Sequence, residues 1–122
     1  MKPEPSVLKV RTKNFALRIL RLYRSLPRTE EARILGKQLL RSGTSIGANY
    51  RAACRARSRA EFVAKLGIVL EEADETVFWL ELLQEGKVFS PEKLVGLVRE
   101  ANELVSIFVS AVRTARGFTS AI

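Results

Sequence analysis

The sequence predicts an all-α fold, an up-and-down antiparallel four-helix bundle, on three observations. Four long stretches repeat apolar residues at the three-and-four spacing of one helix face, no stretch shows the alternation of a strand, and the connections are short. Short connections make consecutive helices antiparallel neighbours with left-handed packing. The 122 residues are read as a single domain, 1–122, with helices at about 10–26, 30–56, 59–85 and 91–116. A chain of this length buries roughly two-thirds of its unfolded surface, enough for a core without disulfides or a structural metal.

The first helix runs from Val10 to Leu26, with Phe15, Ile19, Leu22 and Leu26 along one stripe and Pro27 as its stop. In the second, Thr29 is the N-cap, Glu30 and Glu31 suit the positive helix start, and Ala32, Leu35, Leu39, Ser42, Ile46, Asn49 and Ala53 form the stripe. Gly43 and Gly47 stand one turn apart in its middle. Each is up to about 1 kcal/mol less favourable there than Ala, so close backbone packing or a kink is expected. Ser58 and Glu61 form a Ser-x-x-Glu capping box for the third helix, whose stripe is Phe62, Leu66, Val69, Ala73, Thr76, Leu80 and Leu83. Gly86 is placed for a left-handed helix end. The fourth helix opens on Ser90-Pro91-Glu92 as N-cap, first-turn proline and favourable acid, continues through Leu94, Val98, Ala101, Val105, Phe108, Val112 and Ala115, and ends at Gly117.

Further apolar residues flank these stripes: Leu17 and Leu20 on the first helix, Val63, Gly67, Leu70 and Val77 on the third, Val95 and Val109 on the fourth. That is more apolar surface than one small core needs, so a homo-oligomer is expected; the plainer alternative is a broad core face within one chain.

Composition removes much of catalysis. With no His and only Cys54, the common zinc ligand sets, a Cys-x-x-Cys pair, a Ser-His-Asp triad and a Cys-His dyad cannot be assembled within one chain. Ser45 has no base beside it, and Glu72 and Glu75 lack the His that a di-iron carboxylate bundle requires. No enzyme activity, metal or cofactor is expected. No apolar run reaches the roughly 18–20 residues of a bilayer span, and MKPEPSVLKV does not read as a signal peptide, so a cytoplasmic protein is expected.

Charge is unevenly placed. Residues 1–60 hold 15 Lys and Arg against 3 Asp and Glu, while residues 61–122 hold 6 against 10, for a net charge of +8. On helix two, Arg33, Lys37, Arg41, Arg51 and Arg55 fall within about an 80° arc opposite the apolar stripe. Arg11, Arg18, Arg21 and Arg28 gather on one side of helix one, and Arg57 and Arg59 continue the run. A row of guanidiniums on a rigid helix can follow phosphates without reading bases, so RNA or DNA is one expected partner. The other reading is a solvated or intersubunit face, or docking of an acidic protein. Arg41 is assigned to a carboxylate of helix three rather than to phosphate. With Gln38, Ser45 and Asn49 it is expected to form an internal polar network to Glu72 and Glu75.

Gln38-Leu-Leu-Arg-Ser-Gly-Thr-Ser-Ile-Gly-Ala-Asn49, followed by Ser58-Arg-Ala-Glu-Phe62 and Glu72-Ala-Asp-Glu-Thr-Val-Phe-Trp-Leu-Glu-Leu-Leu83, resembles a known family. These are the bacterial four-helix-bundle proteins named after open reading frames in intervening sequences of 23S ribosomal RNA genes, and the resemblance covers roughly residues 12–116. It implies a single up-and-down bundle assembled as a ring-like homopentamer with no catalytic activity. More distantly the chain is similar to accessory proteins of diversity-generating retroelements, which implies nucleic acid and a reverse transcriptase as partners. Gln38, Arg41, Ser45 and Asn49 match the family's polar pattern. Asn49-Tyr-Arg-Ala-Ala-Cys54 carries no acid where many relatives have one, so no role of that acid is transferred.

Overall fold

In the computed structural model, which describes residues 4–117, the chain forms α1 (Pro5–Ser25), α2 (Glu30–Cys54), α3 (Arg59–Glu85) and α4 (Pro91–Ala115), with no strand among the described residues. The outer ends of the domain read as 1–122 lie outside the described residues. The capping residues act as their chemistry suggests. Thr29 Oγ1 accepts the Ala32 N–H at 3.2 Å and Ser58 Oγ accepts the Glu61 N–H at 3.1 Å.

Several local expectations are corrected. Helix α1 begins at Pro5, not near Val10, because a proline costs nothing in the first turn of a helix. Its buried stripe therefore reaches back through Thr12 to Leu8. Thr12 is fully buried, with its hydroxyl donating to the Leu8 carbonyl at 2.8 Å. Ser90 stands at the N-cap of α4 as expected, but its hydroxyl caps no backbone N–H and donates instead to the Glu92 carboxylate at 2.9 Å. On α4 the buried residues are Leu94, Leu97, Ala101, Leu104, Phe108 and Val112, so Leu97 and Leu104 occupy the places expected of Val98 and Val105, which are half-buried.

Gly86 has φ −77°, and the left-handed residue after α3 is Lys87 at φ 55°. A side chain in that conformation costs about 1–2 kcal/mol, partly offset in a glycine variant by the greater freedom of the unfolded chain. Lys87→Gly is therefore expected to stabilise the fold by about 0.5–1 kcal/mol, read as a higher urea midpoint at unchanged m-value.

At the α1–α2 and α3–α4 contacts the numbering runs in opposite directions, and the short connection between α2 and α3 makes that pair antiparallel as well. Thr12 and Ile19 of α1 lie against Gly47 and Gly43 of α2, Ser42 of α2 meets Thr76 of α3, and Arg59 and Gln84 of α3 reach Ala115 and Pro91 of α4. Backbones pack closely within α1–α2, α2–α3 and α3–α4, whereas α1 and α4 meet mainly through long side chains such as Arg11 to Glu100. The α2 glycines explain the close α1–α2 approach. A Cβ at Gly43 would stand 2.9 Å from Ile19 Cγ1, and one at Gly47 3.3 Å from Thr12 Oγ1. Close packing is thus the outcome at these glycines, and α2 runs unbroken through them. The core they allow includes Phe15, Ile19, Leu39, Ile46, Leu66, Leu80, Leu83, Leu94, Leu104 and Phe108, each almost wholly buried. Burial of such a side chain contributes about 1.5–3 kcal/mol.

Candidate nucleic-acid interface

The cations read from the sequence separate into two groups. Arg21, Arg28, Arg33, Lys37, Arg51 and Arg55 are exposed, and none forms an ion pair among the described residues. Arg18 is half-buried against α4, its Nη2 3.2 Å from where a Gly96 Cβ would stand. Two others bond to neighbouring helices, half-buried Arg11 and exposed Arg59. Arg11 Nε and Nη2 donate to the two Glu100 carboxylate oxygens at 2.7 and 2.8 Å, with Glu103 at 3.7 Å. The Glu100 hydrogen bonds raise the Arg11 pKa above its ordinary value. Arg59 Nε and Nη2 donate to the Ala115 carbonyl at 3.1 and 2.7 Å, completing the C-terminal end of α4. Arg11, neutralised by a carboxylate, therefore leaves the candidate phosphate ligands, while Arg59 holds a helix end yet stays exposed and in no ion pair among the described residues.

The row on α2 is interrupted in its middle. Arg41 bridges to α3, with Nη1 3.4 Å from Glu72 Oε1 and Nη2 on Glu75 Oε2. The free cations of α2 accordingly form two ends separated by this cluster: Arg33 and Lys37 beside the α1–α2 turn, and Arg51 and Arg55 at the helix C-terminus. From Arg33 to Arg55 the helix rises about 33 Å at 1.5 Å per residue.

The polar residues assigned to an internal network behave differently from that expectation. Arg41, Glu72 and Glu75 come together, but the Arg41 side chain is 52% exposed, so the cluster lies at the surface. Ser45 and Asn49 turn back on their own helix, Ser45 Oγ donating to the Arg41 carbonyl at 2.6 Å and Asn49 Nδ2 to the Ser45 carbonyl at 2.9 Å. Gln38 is exposed and has no side-chain hydrogen bond to another described residue. The buried polar link between α2 and α3 is instead Ser42 with Thr76. Both are fully buried, with hydroxyls 3.0 Å apart, and each reaches a carbonyl of its own helix, Leu39 at 3.4 Å and Glu72 at 2.7 Å. Both residues stood in the sequence stripes, but only the facing of α2 and α3 shows that they bond.

Two residues at the α1–α2 turn join the candidate surface although their sequence pattern did not single them out. Arg24 is exposed and unpaired among the described residues, and Tyr23 is half-buried beside it. Elsewhere, burial pushes the Tyr50 phenol upward, so it stays protonated beside Cys54. No group of three or more potential metal ligands occurs among the described residues, and no described helix is long and apolar enough to cross a membrane.

Fold and surface together define an up-and-down four-helix bundle with exposed cations on its second helix and first turn that are unpaired among the described residues. Residues 7–110 match the family described as 23S rRNA-intervening sequence protein, and the chain belongs to that family. It is similar to a protein of unknown function from the S23 ribosomal protein family of Bacteroides thetaiotaomicron VPI-5482, whose crystal structure was determined at 1.70 Å. The two are 40% identical with a TM-score of 0.82, covering 89% of this chain and 97% of that one. No curated protein matches the sequence.

Proposed function

We propose that this chain is a non-enzymatic cytoplasmic bundle protein that binds RNA, or other nucleic acid, through phosphate contacts without sequence specificity. The observation that carries the reading is that the exposed cations of α1, α2 and their turn, Arg21, Arg24, Arg28, Arg33, Lys37, Arg51 and Arg55, form no ion pair among the described residues. The ion pairs among the described residues engage Arg11, Arg41 and Arg57 and none of these cations. The proposal includes a homo-oligomer, a pentamer by family resemblance. Supporting it are large apolar side chains left exposed on all four helices, among them Val7, Val10 and Leu17 on α1, Ile34 on α2, Phe78 and Leu82 on α3, and Val95 and Val109 on α4. Repetition of weak phosphate sites around such an assembly would raise their combined affinity.

The test is anisotropy of a structured RNA with nuclease-treated protein over a series of salt concentrations, beside light scattering for particle mass. The expected result is micromolar or tighter binding near physiological salt, with log affinity falling linearly in log salt at a slope of about −3 or steeper. The expected particle is about five times the 13.7 kDa chain. Binding seen only at very low salt overturns the nucleic-acid reading. That result would favour a protein-interaction scaffold docking a partner such as a reverse transcriptase, a reading supported by the exposed Phe78 and Leu82.

A further inference from the structure

Leu26 turns the chain out of α1, Pro27 prevents the helix from continuing, and Thr29 starts α2, so the α1–α2 turn folds around a cleft of about 670 Å³. That volume lies within the roughly 300–1,000 Å³ typical of small-molecule sites. Three arginines line it, Arg24, Arg28 and Arg33, against a single lining acid, Glu30. Tyr23, half-buried, is among the residues of its wall. The Tyr23 ring lies against α2: a Cβ at Gly36 would stand 3.3 Å from Tyr23 Cδ1 and Cε1 and 2.7 Å from Leu26 Cδ1. Glycine at position 36, unfavourable in a helix interior, thus allows Tyr23 and Leu26 to lie against the α2 backbone.

A continuous duplex presents phosphates but keeps its bases stacked inside, so it makes no use of an aromatic wall. An unpaired nucleotide uses both elements, because its base has a free π-face and its phosphate suits planar guanidinium donors. Resting on the nucleic-acid reading above, we propose that the α1–α2 cleft takes an unpaired nucleotide, its base stacked on Tyr23 and its phosphate held by Arg24, Arg28 and Arg33. The general basic surface would then supply salt-dependent attraction, and this cleft a preference for strand ends and unpaired loops. The shared ligand chemistry is a phosphorylated nucleotide, either free or at a strand terminus.

The experiment compares a blunt RNA duplex with the same duplex carrying a four-nucleotide unpaired extension, alongside 5′-AMP and inorganic phosphate, all with the full chain. The expected result is about tenfold tighter binding of the extended duplex, erased in Tyr23→Leu, kept in Tyr23→Phe, and reduced in Arg28→Ala, with blunt-duplex affinity changing less than twofold in the two Tyr23 variants. Since Tyr23 is half-buried, melting curves accompany its variants; exposed Arg28 provides a variant that does not disturb the core. Saturable shifts of the Tyr23 ring resonances by 5′-AMP, absent with phosphate alone, would assign the site to free nucleotide if the extension gave no tighter binding than 5′-AMP itself. Equal binding of both duplexes without a 5′-AMP response, or a preference that survives Tyr23→Leu, overturns the cleft while leaving the general reading in place. If neither duplex binds, the general reading falls; the 5′-AMP titration then decides the cleft, and an unresponsive Tyr23 ring overturns it too.

Discussion

Replacing Arg33, Lys37, Arg51 and Arg55 together by Glu is expected to weaken RNA binding at physiological salt by at least about a hundredfold. Four lost phosphate contacts should flatten the log–log salt dependence by about 3, since each contributes roughly 0.7–0.9 to the slope. All four side chains are exposed and none is ion-paired among the described residues, so the fold loses little with them. The helix dipole adds a small penalty for Glu at positions 51 and 55, about 0.3–1 kcal/mol each, and favours Glu at position 33. Because the substitution takes the net charge from +8 to zero, the neutral Gln quadruple at +4 is the companion variant for solubility. The Gln protein is expected to show a similar loss of slope with a smaller loss of affinity. Intact particle mass in both variants, with RNA binding gone, assigns the two basic ends to the ligand. Dissociation of the particle with RNA affinity retained would assign them to subunit contacts.

Much of the fold is legible in the sequence because its punctuation is strong. Pro27, Thr29, Ser58 and Pro91 set helix ends that the structure reproduces within two residues. What escapes is decided by tertiary facing. Thr12 reads as polar, yet it is core, because a hydroxyl bonded to the carbonyl four residues earlier can be buried in a helix without an unmet donor. Leu97 and Leu104 compete with Val98 and Val105 for the same face, and only the position of α3 chooses between them.

The candidate site divides along similar lines. The clustering of cations on one arc of α2 follows from spacing alone, and so does their exposure. Which of them stay free does not, because the neutralising groups are distant in sequence. Glu100 lies 89 residues from Arg11, and the Ala115 carbonyl lies 56 residues from Arg59. Arg41 is separable from the row because it adjoins the small Ser42, which meets Thr76 of α3, so a long side chain can cross there to Glu72 and Glu75. The Tyr23 wall of the turn cleft is hidden for a further reason: it depends on Gly36, one helix away, leaving room for the ring.

The largest expected loss of stability is at Phe108. Its ring is fully buried on α4 and lies tilted at 58° against Tyr50 of α2, with centroids 5.4 Å apart. The contact matters because α2 and α4 do not pack backbone to backbone, and α1 touches α4 only sparsely. Apart from its seam with α3, this end of α4 is therefore anchored across the bundle by the aromatic pair. Phe108→Ala removes that anchor, and a buried Phe→Ala change costs about 3–5 kcal/mol. Here the lower part of the range is expected, about 3–4 kcal/mol. Tyr50 and neighbouring residues of α4, Ile107 and Ala111, already border an open apolar cleft of about 520 Å³, so the space vacated adjoins solvent rather than forming a sealed void. Such a loss is a large fraction of the roughly 6–18 kcal/mol expected for a chain this long, and corresponds to a fall in Tm of about 10–20 °C. Phe108→Leu, which keeps most of the volume but not the ring contact, should cost about 1–1.5 kcal/mol. Val109→Ala, one residue away but 38% exposed in the single chain, should change the isolated fold by less than about 0.5 kcal/mol. If urea denaturation instead shows Phe108→Ala costing under 1 kcal/mol while Val109→Ala costs several, α4 is held by a subunit contact on its outer face rather than by the core of its own bundle.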